Sequence, residues 1–266
     1  MRSRAMISRT GLLRRSIPAA AIVLVACGQV ALSQESASPP GPSASEIVER
    51  HIAARGGLDK IRPIQTLRES GRIIAGPNRQ ALITRELKRP TNTRIQLTIQ
   101  GVTSVYVSNG ERGWKMSPFD GDVGPSPLPG EAVTEAAEQA DIEGPLLDWK
   151  AKGHQVELAG KETVGKREAW KVKLTLKSGA VRYEYIDVQT FNRVRSDSIR
   201  TVRGHPVQLE TTFSDFRQTG GIVFPHAIEV AAHGRPQRLR IVVESVEINP
   251  KLEDDLFAMK DTTGAM

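Results

Sequence analysis

Apolar and polar residues alternate along most of this chain with a period of two, and this pattern constrains the fold more than any other feature. It begins after Leu67 and is clearest over residues 170–176, where Trp170, Val172 and Leu174 alternate with polar side chains. Such alternation is typical of antiparallel strands that bury one face and expose the other. The sequence therefore predicts a sheet of about ten antiparallel strands.

Turn residues indicate where the strands begin and end, and one break in the alternation indicates an irregularity within a strand. The predicted strands of the first half are Thr66–Ile74, Gln80–Lys88, Thr93–Ile99, Val102–Ser108 and Arg112–Met116. Asn109-Gly110 gives the sharpest hairpin signal. Strands resume at Gln155 and continue to Ile248, but Val246 is out of phase with Val243. This slip predicts a β-bulge near Glu244-Ser245.

Few helices are predicted. Ser43 and Glu46 have the spacing of a capping box at the start of the first helix, and Gly56-Gly57 supplies its stop. A second helix is predicted over Glu131–Ala140, and Leu146-Leu147-Trp149 predicts a further short one. A long twisted sheet curls. The predicted fold class is therefore α+β: a strongly curved antiparallel sheet, or incomplete (half) β-barrel, with helices covering its concave face.

The first 27 residues have the features of a lipoprotein signal peptide. They hold five arginines and no acidic residue, followed by an apolar run, Ser16–Ala26, that is too short to span a bilayer. The run ends in Leu24-Val25-Ala26-Cys27, which resembles a bacterial lipobox, and Cys27 is the single cysteine of the chain. We expect Cys27 to be acylated, although a lone cysteine is more often a buried free thiol.

Ordinary signal-peptide cleavage after Ser33 is the alternative, because Ala31-Leu32-Ser33 also satisfies the small-x-small rule. Residues 28–43, rich in Ser, Pro and Gly, are predicted to form a flexible tether. Residues 44–260 then form the folded domain, and residues 261–266 a short tail.

The charge balance argues against a nucleic-acid partner. The chain has 37 basic and 30 acidic side chains, a formal charge of +7. Without the signal peptide the balance is 32 basic to 30 acidic side chains, so the folded part is nearly neutral. A domain that binds nucleic acid usually carries a clear basic excess.

No arrangement of residues predicts catalysis, a bound metal or a cofactor. The sequence lacks the nucleophile-elbow, zinc-protease and dinucleotide-binding motifs. His226 and His233 would lie on opposite faces of one strand and so cannot share a metal ion. A hydrolase that uses His226 with Asp215 is a third, weaker hypothesis for the function.

Several short sequence segments, in a fixed order between about residues 44 and 258, resemble segments of a known protein family. They are Ala53–Ile61, Asn109–Trp114, Pro118–Gly121, Tyr185–Asp187 with Thr190-Phe191, Phe213–Phe216, Gly220–His226, and Val246–Asn249 before Leu256-Phe257. In these phrases the chain resembles the LolA/LolB-like group of bacterial periplasmic lipoprotein-sorting and lipid-binding proteins. The resemblance implies an unclosed antiparallel barrel with a helical lid and an apolar cavity for acyl chains.

Under this resemblance the expected partners are acyl chains of a lipid or lipoprotein, and a membrane that holds the Cys27 anchor. Burying an acyl chain of about 16 carbons offers on the order of 12 kcal/mol before ordering costs. The candidate cavity-wall residues are apolar side chains of the predicted strands, although each one alone is more often plain core: Trp170, Val172, Leu174, Val207, Leu209, Phe213, Phe224 and Ile228.

The expected function is therefore lipid or lipoprotein sorting in the periplasm. Gly28 follows the cysteine where Asp would signal retention in the inner membrane, so attachment to the outer membrane is favoured. Cleavage after Ser33 would instead give a soluble periplasmic protein. An envelope sensor or interaction domain of the same fold, without transport, is the alternative function.

Overall fold

The computed structural model of the protein describes residues 41–77, 79–202 and 204–261. Its helices are α1 (Ala44–Ala54), α2 (Leu58–Ile61) and α3 (Gly130–Gln139), with 3₁₀ turns at Pro118–Asp120 and Asp254–Phe257. The capping box predicted for α1 is confirmed. The Glu46 backbone N–H donates to Ser43 Oγ at 3.3 Å, and the Ser43 N–H donates to Glu46 Oε2 at 2.7 Å.

Thirteen strands form one antiparallel sheet. In chain order they are β1 (Thr66–Ile74), β2 (Gln80–Lys88), β3 (Asn92–Ile99), β4 (Val102–Ser108), β5 (Gly113–Met116), β6 (Ser126–Pro127), β7 (Gln155–Val164), β8 (Arg167–Thr175), β9 (Val181–Asp187), β10 (Arg193–Val202), β11 (His205–Thr219), β12 (Ile222–Ala232) and β13 (Arg238–Ile248). The spatial order is β6-β5-β4-β3-β2-β1-β13-β12-β11-β10-β9-β8-β7. Strands β6 and β7 are the two free edges, so the sheet is not closed.

The pairing of β1 with β13 joins the two halves of this meander, and it contains the predicted bulge. Ser70 pairs with Ser245 while Gly71 pairs with Val243, which leaves Glu244 as the extra residue. A Cβ atom on Gly71 would lie only 2.0 Å from the Val242 carbonyl oxygen. The close approach of the two backbones at the bulge therefore requires glycine at this position.

Two buried clusters pack the helices onto the same face of the sheet. Beneath α1, Ile47 and Val48 are buried with Val172, Leu174 and Ile186. Beside α2, a second cluster is built from residues of the α2 region, the sheet and the segment after α3: Ile61, Ile64, Leu67, Leu87, Ile142, Leu147, Ile222 and Phe224. Each alternating strand contributes to these clusters with one face, which is the pattern that the sequence displays.

The helix predicted at Leu146-Leu147-Trp149 is wrong. Residues 142–153 form successive turns, although Leu146 and Leu147 are buried as a helix face would be. Pro145 removes a backbone donor, and Asp148 has a φ of +51°, which a right-handed helix does not allow. Buried apolar residues alone do not distinguish a helix from a packed turn.

Several predictions concern residues outside the described ranges. The signal peptide with Cys27, most of the tether at residues 28–43 and residues 262–266 of the tail lie there. Among the helices that the structure describes, none is both long and apolar enough to cross a membrane.

Candidate functional site

A cleft of about 250 Å³ lies between the helix-contacting face of the sheet and the end of α3 with the turns that follow it. The apolar and aromatic side chains that the sheet contributes to its lining are Leu67, Leu87, Phe213, Phe216, Phe224 and Ile228. Ile142 and Leu146 lie on the opposite side. A concave site with mainly apolar walls is the usual form of a small-molecule binding site.

Charged side chains also line the cleft. They are Arg55, Arg85, Arg182, Arg193 and Arg200, with Glu69, Glu138, Asp141 and Glu143. On the sheet, Arg85 Nε donates to Glu69 Oε2 at 2.9 Å. The cleft therefore combines an apolar wall with a set of ion pairs.

Glu138 connects α3 to the far half of the sheet. Its Oε2 accepts hydrogen bonds from the guanidinium groups of Arg182 on β9 and Arg200 on β10. The same helix also packs against β3 and β4. Because these strand pairs lie well apart in the sheet order, α3 bridges the cleft from one half of the sheet to the other.

Burial determines the ionisation of His51 at the end of the cleft nearest α1. The ring is 5% exposed, and its Nδ1 lies 2.8 Å from the Phe191 carbonyl oxygen. Burial, reinforced by the charge of Arg55, lowers the pKa of His51 to about 3. His51 is therefore neutral at physiological pH, so Nδ1 carries the proton that it donates to Phe191.

Exposed apolar side chains are concentrated at one end of the sheet. Eight of the nine exposed large hydrophobic residues of the described ranges lie where β1–β2, β3–β4, β5–β6, β8–β9, β10–β11 and β12–β13 connect. We call this set the apolar rim: Leu82, Ile99, Val102, Phe119, Val123, Val181, Ile199 and Leu239. The ninth residue, Leu158, lies on edge strand β7. Exposed Arg79, Lys177 and Arg235 lie in the connections at the same end as the rim.

Three solved structures share this architecture. A LolA superfamily protein from Nitrosomonas europaea superposes with a TM-score of 0.53 at 13% identity, over 82% of this chain and 98% of that one. A putative outer membrane lipoprotein-sorting protein domain from Vibrio parahaemolyticus gives 0.53 at 11% identity, over 80% and 95%. A DUF1329 family protein from Desulfovibrio piger gives 0.56 at 14% identity, over 81% and 97%.

The chain has the fold of the LolA superfamily. Of the fold that the sequence resemblance implies, the large unclosed antiparallel sheet is confirmed. No protein-family profile and no curated protein matches the sequence. At this level of identity the likeness concerns the LolA-like fold alone.

The predicted cavity-wall residues occupy different places in the LolA-like fold. Phe213, Phe224 and Ile228 line the cleft. Val172 and Leu174 are completely buried beneath α1.

The other three predicted wall residues lie away from the cleft lining. Trp170 is half-buried against the α1 cluster, with the Lys161 ammonium 4.4 Å from the centre of its ring. Val207 is half-buried on β11, and Leu209 lines a separate pocket of about 200 Å³ beside Arg195 and Glu210.

The residues weighed for catalysis do not form a pair. His226 is buried, and its Nδ1 lies 2.7 Å from the Val243 carbonyl oxygen. Asp215 instead forms a two-pronged ion pair with Arg217, which lowers the pKa of the Asp215 carboxyl. Within the described ranges, no group of three or more His, Cys, Asp or Glu side chains is placed to hold a metal ion.

Sequence reasoning missed the charged half of the cleft. Arg55, Glu138 and Arg193 come from a helix end, a second helix and a strand, and no local motif connects them. Their only sequence signal is position: Arg55 lies inside the Ala53–Ile61 phrase, and Glu138 lies near the end of the predicted α3.

Proposed function

We propose that this protein binds a lipid or the acyl chains of a lipoprotein in the cleft and assists their sorting to the outer membrane. In this proposal the sheet is curved as a half-barrel, and α1 and α3 cover its concave face. Residues 44–260 form the binding domain, residues 1–27 are a lipoprotein signal peptide, and acylated Cys27 holds the domain to the outer membrane through the 28–43 tether.

The apolar sheet side of the cleft carries the proposal. Phe213, Phe224 and Ile228 lie on neighbouring strands and meet at the cleft, where Phe213 pairs directly with Ile228 across β11 and β12. Each methylene that moves from water to such a surface contributes about 0.8 kcal/mol. An acyl chain therefore needs no catalytic group, metal or cofactor to be retained.

The size of the cleft sets a condition on binding. The volume of about 250 Å³ is below the roughly 300–1,000 Å³ of ligand clefts that enclose a drug-sized molecule. A full-length acyl chain requires more room than this. We propose that α3 moves away when a chain enters, because the hydrogen bonds from β9 and β10 to this helix converge on the Glu138 carboxylate.

Movement of α1 would enlarge the site further. Val172 and Leu174 contact the side chains of Ile47 and Val48, and Trp170 packs at the border of that cluster. These three predicted wall residues reach a lipid only when α1 leaves its place. Val207 and Leu209 continue the same strand face as Phe213 on β11 and would extend the wall toward the apolar rim.

The apolar rim supports a position beside a membrane. Scattered surface hydrophobics are normal, but a concentration at one end of a sheet is typical of an interaction surface. Exposed Arg79, Lys177 and Arg235 at the same end would favour a surface of anionic lipid. The predicted Cys27 anchor would keep the domain within reach of such a surface.

A sensor or interaction domain of the same fold, without transport, is the second candidate. The observation in its favour is the small volume of the cleft while Glu138 is bound by Arg182 and Arg200. If α3 does not move, the cleft admits only a short ligand, and binding of other envelope components would be the function.

Mass spectrometry of material extracted from the purified protein tests the main proposal. Phospholipid or acyl chains at near-stoichiometric amounts would support it, and a ligand-free protein would favour the sensor. Loss of the gene should also leave lipoproteins in the wrong membrane. Correctly sorted lipoproteins in that strain would contradict transport.

The N-terminus of the mature protein tests the anchor separately. Acylation predicts a mature chain that begins at lipidated Cys27, and Cys27→Ser should release the protein from the membrane fraction. A mature N-terminus at Gln34 would instead establish cleavage after Ser33 and a soluble periplasmic protein.

A further inference from the structure

Two of the five arginines of the cleft differ from the rest in their partners. Arg85 is paired with Glu69, and Arg182 and Arg200 share Glu138. Arg55 donates from Nη1 to the backbone carbonyl oxygen of Glu143. Among the residues that the structure describes, Arg55 forms no ion pair with a carboxylate.

Arg193 is only loosely neutralised. Its Nη1 lies 3.5 Å from Glu184 Oε2, whereas charge-assisted hydrogen bonds are usually about 2.7–2.9 Å long. Glu184 is completely buried, and neither of its carboxylate oxygens has a hydrogen-bond partner. The Arg193 guanidinium also lies 4.3 Å from the centre of the Phe213 ring, an apolar wall residue of the cleft.

Arg55 and Arg193 line the same cleft, and their like charges act on each other. Burial, followed by the charge of Arg193, lowers the pKa of Arg55 to about 10. Each guanidinium carries five N–H donors in a planar fork that matches carboxylate and phosphate oxygens. An anion between Arg55 and Arg193 would offset the like charges and accept hydrogen bonds from both guanidinium groups.

The apolar wall adjoins these donors directly. Phe213 contacts Arg193 and lies opposite Ile228 in the sheet, and Phe224 lines the same cleft. A ligand that occupies both parts has one anionic group and one apolar chain. Arg85, Arg182 and Arg200 form hydrogen-bonded ion pairs, whereas Arg193 lies 3.5 Å from its nearest carboxylate oxygen. The site for the anion therefore falls on Arg55 and Arg193.

We propose that Arg55 and Arg193 bind the anionic head group of an amphiphile, a carboxylate or a phosphate, while its apolar chain lies against Phe213, Phe224 and Ile228. This inference rests on the proposed lipid-binding function and specifies the chemical class of the ligand. It predicts discrimination between charged and uncharged lipids with the same chain.

Displacement of the neutral fluorescent probe N-phenyl-1-naphthylamine from the delipidated full chain tests the inference. The competitors are oleate, oleoyl-lysophosphatidylglycerol and uncharged oleyl alcohol, which share one type of chain. We expect at least one anionic competitor to displace the probe at a concentration roughly tenfold lower than the alcohol does. Preference for oleate alone assigns a free carboxylate, and preference for the lysolipid alone assigns a phosphate.

Arg55→Gln should abolish this preference, so that both anions displace the probe at about the concentration that oleyl alcohol requires. Arg62→Gln is the matched control, because Arg62 is an exposed arginine whose partner is Asp148, outside the cleft lining. Arg193→Gln alone would leave buried Glu184 without its nearest cation and risks misfolding. The double variant Arg193→Gln/Glu184→Gln removes both charges and should lose the preference as Arg55→Gln does.

Equal displacement by the alcohol and both anions would overturn the anion site and leave the lipid-binding proposal intact. A preference that survives in folded Arg55→Gln and in the folded double variant would also overturn it. If neither the probe nor any competitor binds, the proposed function itself fails.

Discussion

Glu138 near the end of α3 binds Arg182 on β9. The same helix begins beside β5, and β5 and β9 lie near opposite edges of the sheet. The backbone N–H of Leu128, just before the helix, donates to the Gly113 carbonyl oxygen of β5 at 3.0 Å. A backbone hydrogen bond therefore ties the segment before α3 to β5, and near the end of the helix Arg182 and Arg200 share the Glu138 carboxylate.

Glu138→Gln should loosen the end of α3 and accelerate exchange of a bound lipid. The amide loses the charge that two guanidinium groups share, and hydrogen bonds to charged groups are worth about 1.5–3 kcal/mol each. Stopped-flow measurement of N-phenyl-1-naphthylamine release should show at least a roughly fivefold faster rate. Glu131→Gln, an exposed site on the same helix, serves as the control. An unchanged release rate in folded Glu138→Gln would show that α3 does not gate the cleft.

Gly56→Ala should destabilise the fold at the end of α1. Gly56 has a φ of +127°, and a Cβ atom there would lie 2.4 Å from the Gly221 carbonyl oxygen. Next to this contact, the Val223 N–H donates to the Arg55 carbonyl oxygen at 2.8 Å. We expect the free energy of unfolding in urea to fall by about 1–3 kcal/mol from the steric clash, in addition to backbone strain.

Gly179→Ala provides the matched control for that clash. Gly179 also has a positive φ, +86°, but no atom lies within 4 Å of the position of its Cβ. Its substitution should cost only the strain, about 1 kcal/mol. Equal losses for the two variants would contradict the close approach of α1 to the β11–β12 turn.

His51 predicts a pH dependence of stability. Its pKa is about 3 in the folded protein, below the ordinary 6.5. Between these two pH values the ring is protonated in the unfolded chain and neutral in the folded protein. The free energy of unfolding should therefore fall as pH decreases from about 6.5, by up to about 1.4 kcal/mol per pH unit from this residue.

Urea titrations of the wild type and His51→Gln between about pH 5 and 6.5 measure this contribution. The variant should show a shallower slope, since glutamine has no proton to bind. His205→Gln, at an exposed histidine, should retain the wild-type slope. Identical slopes for the wild type and His51→Gln would mean that folding does not lower the pKa of this ring.

The sequence predicted the sheet well because alternation is a local property. Strands β1, β2 and β4 have the predicted bounds, and the extra residue of the bulge is Glu244. The alternation within each strand indicates which side chains are buried. The change in the phase of this alternation after Val243 indicates the bulge. The predicted count of about ten strands is lower than the observed thirteen, and β6 is one that alternation misses because it has only two residues.

The charged half of the cleft could not be predicted in the same way. Arg55, Glu138 and Arg193 become neighbours of one cleft only through the order of strands and the path of α3. Alternation predicts that Arg193 lies on a strand. It does not predict that the Arg193 guanidinium contacts the Phe213 ring on the neighbouring strand, or that its nearest carboxylate oxygen lies 3.5 Å away. Ion pairs between distant segments depend on tertiary structure and leave no periodic signal.

Ile199→Ser should weaken association with anionic vesicles if the apolar rim contacts a membrane. Ile199 is 66% exposed on β10, and transferring an isoleucine side chain from water to lipid offers about 1.5–3 kcal/mol at full burial. Sedimentation of the Cys27→Ser chain with phosphatidylglycerol vesicles should show a roughly fivefold or greater loss of binding. Leu158→Ser is the control, because Leu158 is an exposed leucine on edge strand β7, outside the rim. Since both substitutions remove an exposed aliphatic side chain, an equal loss for the two would indicate general hydrophobic adsorption and exclude the rim as a specific membrane contact.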